Sequence, residues 1–295
     1  MRLALFGSIF PDRAAKAEEQ ICEVCEAIRR KGGEVYLPSN LFRTLSASAR
    51  RRITPLCTAG EKLPPVDMAV SVGGDGTFLR TAATVSDSGI PVLGINTGRL
   101  GFLAAINYTD MNETLQEVMA GAYKVEDRTL LKLLTGETSS PKHFNVHALN
   151  EVAILKQDTA SMLSIHACVN DDYLTSYQAD GLVISTPTGS TAYSLSIGGA
   201  ILSPTTPSII LSAIAPHNLT SRSLVVDDSS IISLKVESRS HTFLVSVDGE
   251  SRVLDESVGI RIRKDDYTLR VVKRIGHTFY ETLRDKLMWG EDVRK

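Results

Sequence analysis

Residues 70–77 read VSVGGDGT: an apolar run, two glycines, an aspartate, another glycine and a threonine. A buried strand that ends in glycines and leads into a helix brings backbone N–H groups close to phosphate oxygens, at a helix end that favours anions. Asp75 is the misfit, because a carboxylate repels a phosphate. Two readings fit these residues. Gly-Asp-Gly is ordinary turn chemistry, since glycine adopts positive φ and aspartate bonds its own backbone. Alternatively Gly73, Gly74, Gly76 and Thr77 form a phosphate cradle, with Thr77 capping the helix. Asp75 is then a general base that takes the proton of a hydroxyl attacking a phosphoryl group, while a divalent cation offsets the negative charge.

The flanking residues set the fold class. RLALFGS (2–8), EVYLP (34–38), DMAVSVGG (67–74) and PVLGI (91–95) read as strands. Residues 14–31 read as a helix closed by Gly32-Gly33, a proline-bounded loop surrounds Leu63-Pro64-Pro65, and a helix runs from Thr77 to about Ser86. Strands alternating with helices predict a parallel sheet with ligands beyond the carboxyl ends of its strands. After the helix-like TDMNETLQEVMAGAY (109–123) the pattern changes at about Asp127. LLKLL, NEVAIL, LSIHACVN, GLVIST, SIISLKVES, HTFLVSVDGE and YTLRVVKRI are short β-type runs separated by turn residues, with TGETSSPKH (135–143) as a hairpin tip. HTFYETLRDKLMW (277–289) returns to helical spacing. The expectation is α/β plus all-β: a Rossmann-like domain over 1–127, a mostly antiparallel β-rich domain over 128–275 that binds the ligand, and 276–295 packing back on the first.

With 295 residues, 43% of them hydrophobic, the chain is long enough for two cores. A net charge of −2 with no long basic block argues against nucleic acid. The cluster Arg50-Arg51-Arg52 reads as a solvated helix end. The apolar run between Arg2 and Pro11 is too brief for a secretory signal and no stretch approaches membrane-spanning length, so a cytoplasmic location is expected. Cys22 and Cys25 form a C-x-x-C, but they sit with Ile21, Val24 and Ile28 at helical spacing, and no second pair completes a metal or redox site. His217 reads as a loop residue and His277 as the cap of the last helix. No cluster of histidine, cysteine and carboxylate identifies metal ligands.

The chain has neither a G-x-x-x-x-G-K-[ST] nor a G-x-G-x-x-G after its first strand, which excludes a P-loop and a hydride-transferring Rossmann site. A second glycine-rich stretch, ADGLVISTPTGSTAYSLSIGG (179–199), offers small hydroxyls, free amides and one tyrosine without a charge from Gly181 onward. These groups suit a ligand with ribose and phosphate oxygens and a flat base; a Ser/Thr-rich loop with a short capped helix is the plainer reading.

Taken together, GGDGT, INTGRLGFL (95–103), Asn150-Glu151 and DGLVISTPTGSTAYSLSIGG resemble the bacterial NAD kinases in order and spacing over essentially the whole chain. GGDGT is shared with lipid kinases of the diacylglycerol type, whereas TPTGSTAYSLS is close to diagnostic. The resemblance implies an NAD kinase-like two-domain fold and ATP-dependent phosphorylation of the adenosine 2′-hydroxyl of NAD. It implies Asp75 as the base, Gly76 beside the dinucleotide and Arg80 toward phosphate. Asn150, Glu151, Asp180, Thr188, Thr191, Ala192, Tyr193, Ser194, Leu195, Ser196, Ala215 and Glu250 match NAD-contacting positions. It also implies ATP as donor, with polyphosphate as another candidate, magnesium arriving on the phosphates, and a homo-oligomer (dimer or tetramer). Two residues depart from the family pattern: Gln178 stands where a basic residue is frequent, and Glu250 replaces a glutamine that could donate a hydrogen bond. A lipid kinase and a dinucleotide sensor without turnover are the rival readings.

Overall fold

Leu3, Ala4 and Leu5 are wholly buried in β1 (Arg2–Gly7), as a strand covered on both faces requires. The structure, a computed structural model, describes residues 1–61, 64–98, 101–136, 146–158 and 161–289. It divides into two units, Met1–Asp127 joined by the residues from Leu269 onward, and Arg128–Thr268.

In the first unit β1 is followed by α1 (Ala14–Arg30), β2 (Glu34–Pro38), α2 (Ser39–Thr44), α3 (Ala47–Ile53), β3 (Cys57–Gly60), β4 (Met68–Gly73), α4 (Asp75–Val85), β5 (Val92–Asn96), β6 (Ile106–Asn107) and α5 (Met111–Met119). The strand order is β3-β2-β1-β4-β5, all parallel. α1 buries Ile21, Cys22, Val24, Cys25 and Ile28 against the sheet core, and burial pushes both thiols up, away from the reactive thiolate. The short elements α2, α3 and β3 are not apparent in the sequence pattern. α3 is held by contacts distant in sequence: Arg52 binds Glu19 and Glu26 of α1 at 2.8 and 2.6 Å. The helix after GGDGT starts at Asp75, two residues earlier than expected, with Gly74 at its N-cap. Thr77 is therefore no cap; its hydroxyl donates to Ser8 Oγ at 3.1 Å.

The second unit contains most of β7 (Tyr123–Thr135), then β8 (His147–Ala148), β9 (Glu151–Lys156), β10 (Leu163–Val169), β11 (Asp172–Ala179), β12 (Gly181–Ser185), α6 (Tyr193–Ser196), β13 (Ser208–Ile214), β14 (Leu224–Asp227), β15 (Ile232–Glu237), β16 (Thr242–Val247), β17 (Glu250–Asp255) and the start of β18 (Ile260–Arg274). One antiparallel sheet runs β14-β13-β12-β9-β16-β17, and β11-β10-β15-β18 form another. Their inner side chains, among them Ile154, Leu182, Phe243, Ile165 and Val236, share one core. Each of the seven β-type runs lies in a strand. β11 escaped notice because it is polar and half-exposed, and β13 because its run is buried without alternation. The TGETSSPKH tip falls largely outside the described residues.

The last helix among the described residues, α7 (Phe279–Leu287), belongs to the first unit. Its cap is Thr278, in a reciprocal capping box with Glu281, and not His277 as expected from the sequence. No helix among the described residues is long and apolar enough to cross a membrane.

Candidate active site

At the carboxyl end of β4, Gly73 has φ +155°, and a Cβ there would overlap the Thr77 side chain, so the turn requires glycine. Gly74 and Gly76 differ. A Cβ at Gly74 would meet nothing within 4 Å and one at Gly76 only Arg80 Nη1 at 4.0 Å, and both residues are exposed. No packing among the described residues demands glycine at either place.

Asp75 points its carboxylate at another loop. Oδ2 accepts the N–H of Phe102 at 3.0 Å, and Oδ1 accepts those of Leu103 and Ala104 at 3.2 and 3.0 Å. Gly101 makes this possible, because a Cβ on it would overlap the carboxylate. Phe102 in turn lies 6.4 Å, ring to ring, from Phe279 of α7. Within GFL (101–103), then, the glycine clears space for Asp75 and the amides hold it; Arg99 and Leu100 of the same motif lie outside the described residues. Arg80, one turn along α4, donates to Ser8 Oγ at 2.6 Å.

In the second unit the β16–β17 turn carries Asp248 and Gly249 at φ +48° and +89°, the conformation of a two-residue hairpin loop. The Asp248 carboxylate turns inward and accepts the N–H groups of Leu149, Asn150 and Glu151 at 2.7, 2.8 and 3.1 Å. From the other side Thr186 N–H donates to the Asn150 carbonyl at 2.9 Å, and the Thr186 hydroxyl donates to that of Leu149 at 2.6 Å. Gly189 lies against the Asn150 backbone, where a Cβ would overlap it. The Asn150-Glu151 backbone is thus clamped, and its side chains are left over. Asn150 Oδ1, Glu151 Oε2, Thr188 Oγ1 and Ser194 Oγ are buried and find no partner among the described residues. Buried polar atoms are normally paired, so four unpaired ones on neighbouring segments call for a partner such as water or a ligand.

Burial, reinforced by the Asp248 charge, pushes the Glu151 carboxyl up to about 8, against an N–H from Tyr193. Burial also raises Asp248, against its three amide donors. At neutral pH Glu151 accordingly holds a proton that Oε2 can donate.

The residues expected at the site divide between the two ends of one strand. Asn150, Glu151, Thr188 and the turn Thr191–Ser196 gather near Ser185, which pairs with Glu151; Glu250 opens β17 at the hairpin and is exposed. Asp180 and Ala215 lie at the other end, where Gly181 pairs with Leu155 and Ile214, four residue steps or about 13 Å along β12. There Lys156 Nζ binds Asp180 at 2.7 Å, and Gln178 bonds Ser164 Oγ at 2.8 Å through its amide. His217 donates its N–H to the Gln178 carbonyl at 2.8 Å. Ser8 and Lys156 did not stand out in the sequence and Gly101 was visible only as part of INTGRLGFL (95–103); Asp248-Gly249, which precedes Glu250, reads there equally as a hairpin turn or a ligand contact, and the inward carboxylate of Asp248 is what the structure adds. Among the described residues no three His, Cys, Asp or Glu side chains come together to hold a metal ion, so no protein-built cage for a resident cation is present among them.

Known proteins match the chain in sequence and in fold. Residues 16–123 match the ATP-NAD kinase N-terminal domain and 149–274 the ATP-NAD kinase C-terminal domain. The chain is 45% identical over 296 residues to an NAD kinase of Bacteroides fragilis, covering 100% of both chains. It is 47% identical over 295 residues to one of Porphyromonas gingivalis, covering 99% of each. Among solved structures, a yeast NADH kinase complexed with NADH shares the fold at a TM-score of 0.85 and 24% identity, over 100% of this chain and 89% of that one. An NAD kinase from Archaeoglobus fulgidus in complex with ATP aligns at 0.72 and 25%, over 97% and 99%. On this sequence identity, extending over both domains, the chain belongs to the NAD kinase family.

Proposed function

We propose that the protein transfers the γ-phosphoryl group of ATP to the 2′-hydroxyl of the adenosine ribose of NAD, giving NADP and ADP. The observation that carries this reading is the buried, unpartnered set Asn150 Oδ1, Glu151 Oε2, Thr188 Oγ1 and Ser194 Oγ beside Tyr193. An amide oxygen, a protonated carboxyl and two hydroxyls are complementary to ribose hydroxyls and an adenine edge, and the tyrosine can cover the base.

The step balances simply. The 2′-oxygen forms a bond to the γ-phosphorus, the bond to the β–γ bridging oxygen breaks with its electrons leaving on ADP, and the hydroxyl proton passes to Asp75. Oδ2 accepts a single amide N–H and keeps a lone pair for that proton. The glycines Gly73, Gly74 and Gly76 let backbone amides approach the phosphates, and positioning supplies most of the acceleration. A divalent cation such as magnesium belongs to this scheme as part of the donor nucleotide, where it would offset the phosphate charge.

Gly76, Thr191, Ala192, Leu195, Ser196 and Glu250 complete the dinucleotide side of this reading. Asp180 and Ala215 stand about 13 Å along β12 from the clamped Asn150. They fit a homo-oligomer in which that end of one subunit serves its neighbour's site. The setting is the cytoplasm, where NAD and ATP meet.

The test is NADP formation from NAD, ATP and magnesium by the purified chain, read by an NADP-specific dehydrogenase. No NADP would leave a dinucleotide sensor; turnover on diacylglycerol in its place would identify a lipid kinase. Light scattering reads the assembly.

A further inference from the structure

The segment 101–104, whose amides hold Asp75, is itself held from two sides. On the inner side Ala104 sits on Gly94 of β5. A Cβ on Gly94 would come within 2.8 Å of the Ala104 Cα and of the Phe78 ring, which is wholly buried in α4. Only a residue without a side chain lets the segment approach the sheet so closely. On the outer side the half-buried Phe102 ring meets the ring of Phe279 at 6.4 Å and an interplanar angle of 44°, within the range of attractive aromatic pairs.

Phe279 is well placed to act as the outer clamp. It is the first residue of α7, and the capping box beneath it fixes that first turn: the Glu281 N–H donates to the Thr278 hydroxyl, and the Thr278 N–H donates to the Glu281 carboxylate. Thr282 and Leu283, one turn on, are buried and anchor the helix. The other two aromatic residues of this segment face water, Tyr280 at 61% and Trp289 at 57% exposure, whereas Phe279 is half-buried. From α7 to the carboxylate there are two contacts, the ring of Phe279 on the ring of Phe102, and the N–H of Phe102 on Asp75 Oδ2 at 3.0 Å. Any shift of Phe102 is therefore passed to Asp75.

We infer that Phe279 is a positioning residue for the transfer: through Phe102 it holds the 101–104 segment, and with it the Asp75 carboxylate, where the attacking hydroxyl can give up its proton. The inference rests on the kinase reading above and extends the machinery of that reaction to the C-terminal helix.

The experiment uses the full chain and the variants Phe279→Ala, Phe279→Tyr and Trp289→Ala, with folding checked by thermal melting. An aromatic contact is worth up to about a factor of ten, so kcat falls about three- to tenfold in Phe279→Ala while KM for NAD and for ATP stays at the wild-type value. Phe279→Tyr keeps the ring and restores the rate, and Trp289→Ala turns over like the wild type. In an Asp75→Asn background Phe279→Ala costs nothing further, because the group it positions has lost its function. An unchanged kcat, an equal loss in Trp289→Ala, or a full additional loss in the Asp75→Asn background overturns the inference. Hydrogen exchange separates this failure from that of the functional reading. The amides of 102–104 exchange faster in Phe279→Ala, whereas those of 149–151, held by Asp248 in the same manner, keep their wild-type rates. If the wild-type chain makes no NADP, the kinase reading falls, while the clamp on Asp75 still stands or falls by whether exchange at 102–104 responds to Phe279→Ala.

Discussion

Asp75 and Asp248 do the same thing to the backbone in different parts of the molecule. Each accepts three consecutive amide N–H groups, 102–104 for Asp75 and 149–151 for Asp248, from a loop distant in sequence. The surroundings differ. Asp75 begins a helix, partly exposed, between two glycines whose missing side chains leave open space. Asp248 is folded under a hairpin against Glu151, where burial raises both carboxyls. Shared bonding means that loop-holding alone does not make an aspartate a base; access for a reacting hydroxyl does. The two residues can therefore be told apart by which kinetic constant their loss changes.

The largest effect is expected from Asp75→Asn. The amide oxygen can still hold Leu103 and Ala104, and the NH₂ group that then faces the Phe102 N–H stands at a partly exposed site where water relieves the clash; the fold loses about 1 kcal/mol at most, NAD affinity persists, and kcat falls about 10²–10⁴-fold for want of a base. Near-normal turnover would reduce Asp75 to a loop anchor of the Asp248 kind. Gly101→Ala comes next. Its Cβ overlaps the carboxylate, so Asp75 or the loop must shift, and a displacement of this kind costs up to about 10²-fold in rate. Gly74→Ala is the control for fold: nothing lies within 4 Å of its Cβ, so its melting temperature stays at the wild-type value. If Gly101→Ala turns over like the wild type, the placement of Asp75 does not matter to the reaction.

Asp248→Asn should behave differently. Replacing one acceptor by an NH₂ group sets donor against donor at a cost of about 1–3 kcal/mol. The loss falls on the clamp under Asn150 and Glu151, so KM for NAD rises roughly tenfold for each 1.4 kcal/mol that reaches the ligand. Unfolding midpoints drop and kcat holds. A fall in kcat with an unaltered KM would place Asp248 among the reacting groups and erase the contrast.

The same pair of aspartates explains how far the sequence could be read. GGDGT was legible because its glycines sit between an apolar strand and a helix, and local pattern carries that information. The parallel sheet and many of the antiparallel strands followed from periodicity in the same way, though not their order. The role of Asp248 was not legible: Asp-Gly between alternating runs is a sufficient recipe for a hairpin, and nothing local says that the carboxylate turns inward to amides about a hundred residues earlier. The roles of Ser8 and Gly101 were invisible for the same reason, since each matters only through a side chain remote in sequence. Thr77, read as a cap, lost that role because the helix begins at Asp75 and leaves it inside the first turn, where its hydroxyl reaches Ser8.

Per pH unit the smallest effect is the dependence of stability on pH, and its sign follows from Glu151. Its carboxyl is raised from an ordinary value near 4.5 to about 8 by burial and by the Asp248 charge. Between these values the unfolded chain has released a proton that the folded chain retains. The folded state binds more protons, so stability falls as pH rises through this window, by at most about 1.4 kcal/mol per pH unit, and the loss is complete above about 8. Glu151→Gln removes the titrating group while keeping a donor at the same place. Urea unfolding at several pH values between 5 and 8 should show a steeper decline for the wild type than for this variant, with Asp248 present in both. The proton also bears on the ligand: if Oε2 donates to NAD, KM for NAD rises in the wild type as pH passes 8 and stays level in Glu151→Gln. Equal slopes in the two proteins would mean that Glu151 is ionised at neutral pH and that the clamp beneath it tolerates two adjacent charges, leaving Asp75 and Asp248 less different in setting than their burial implies.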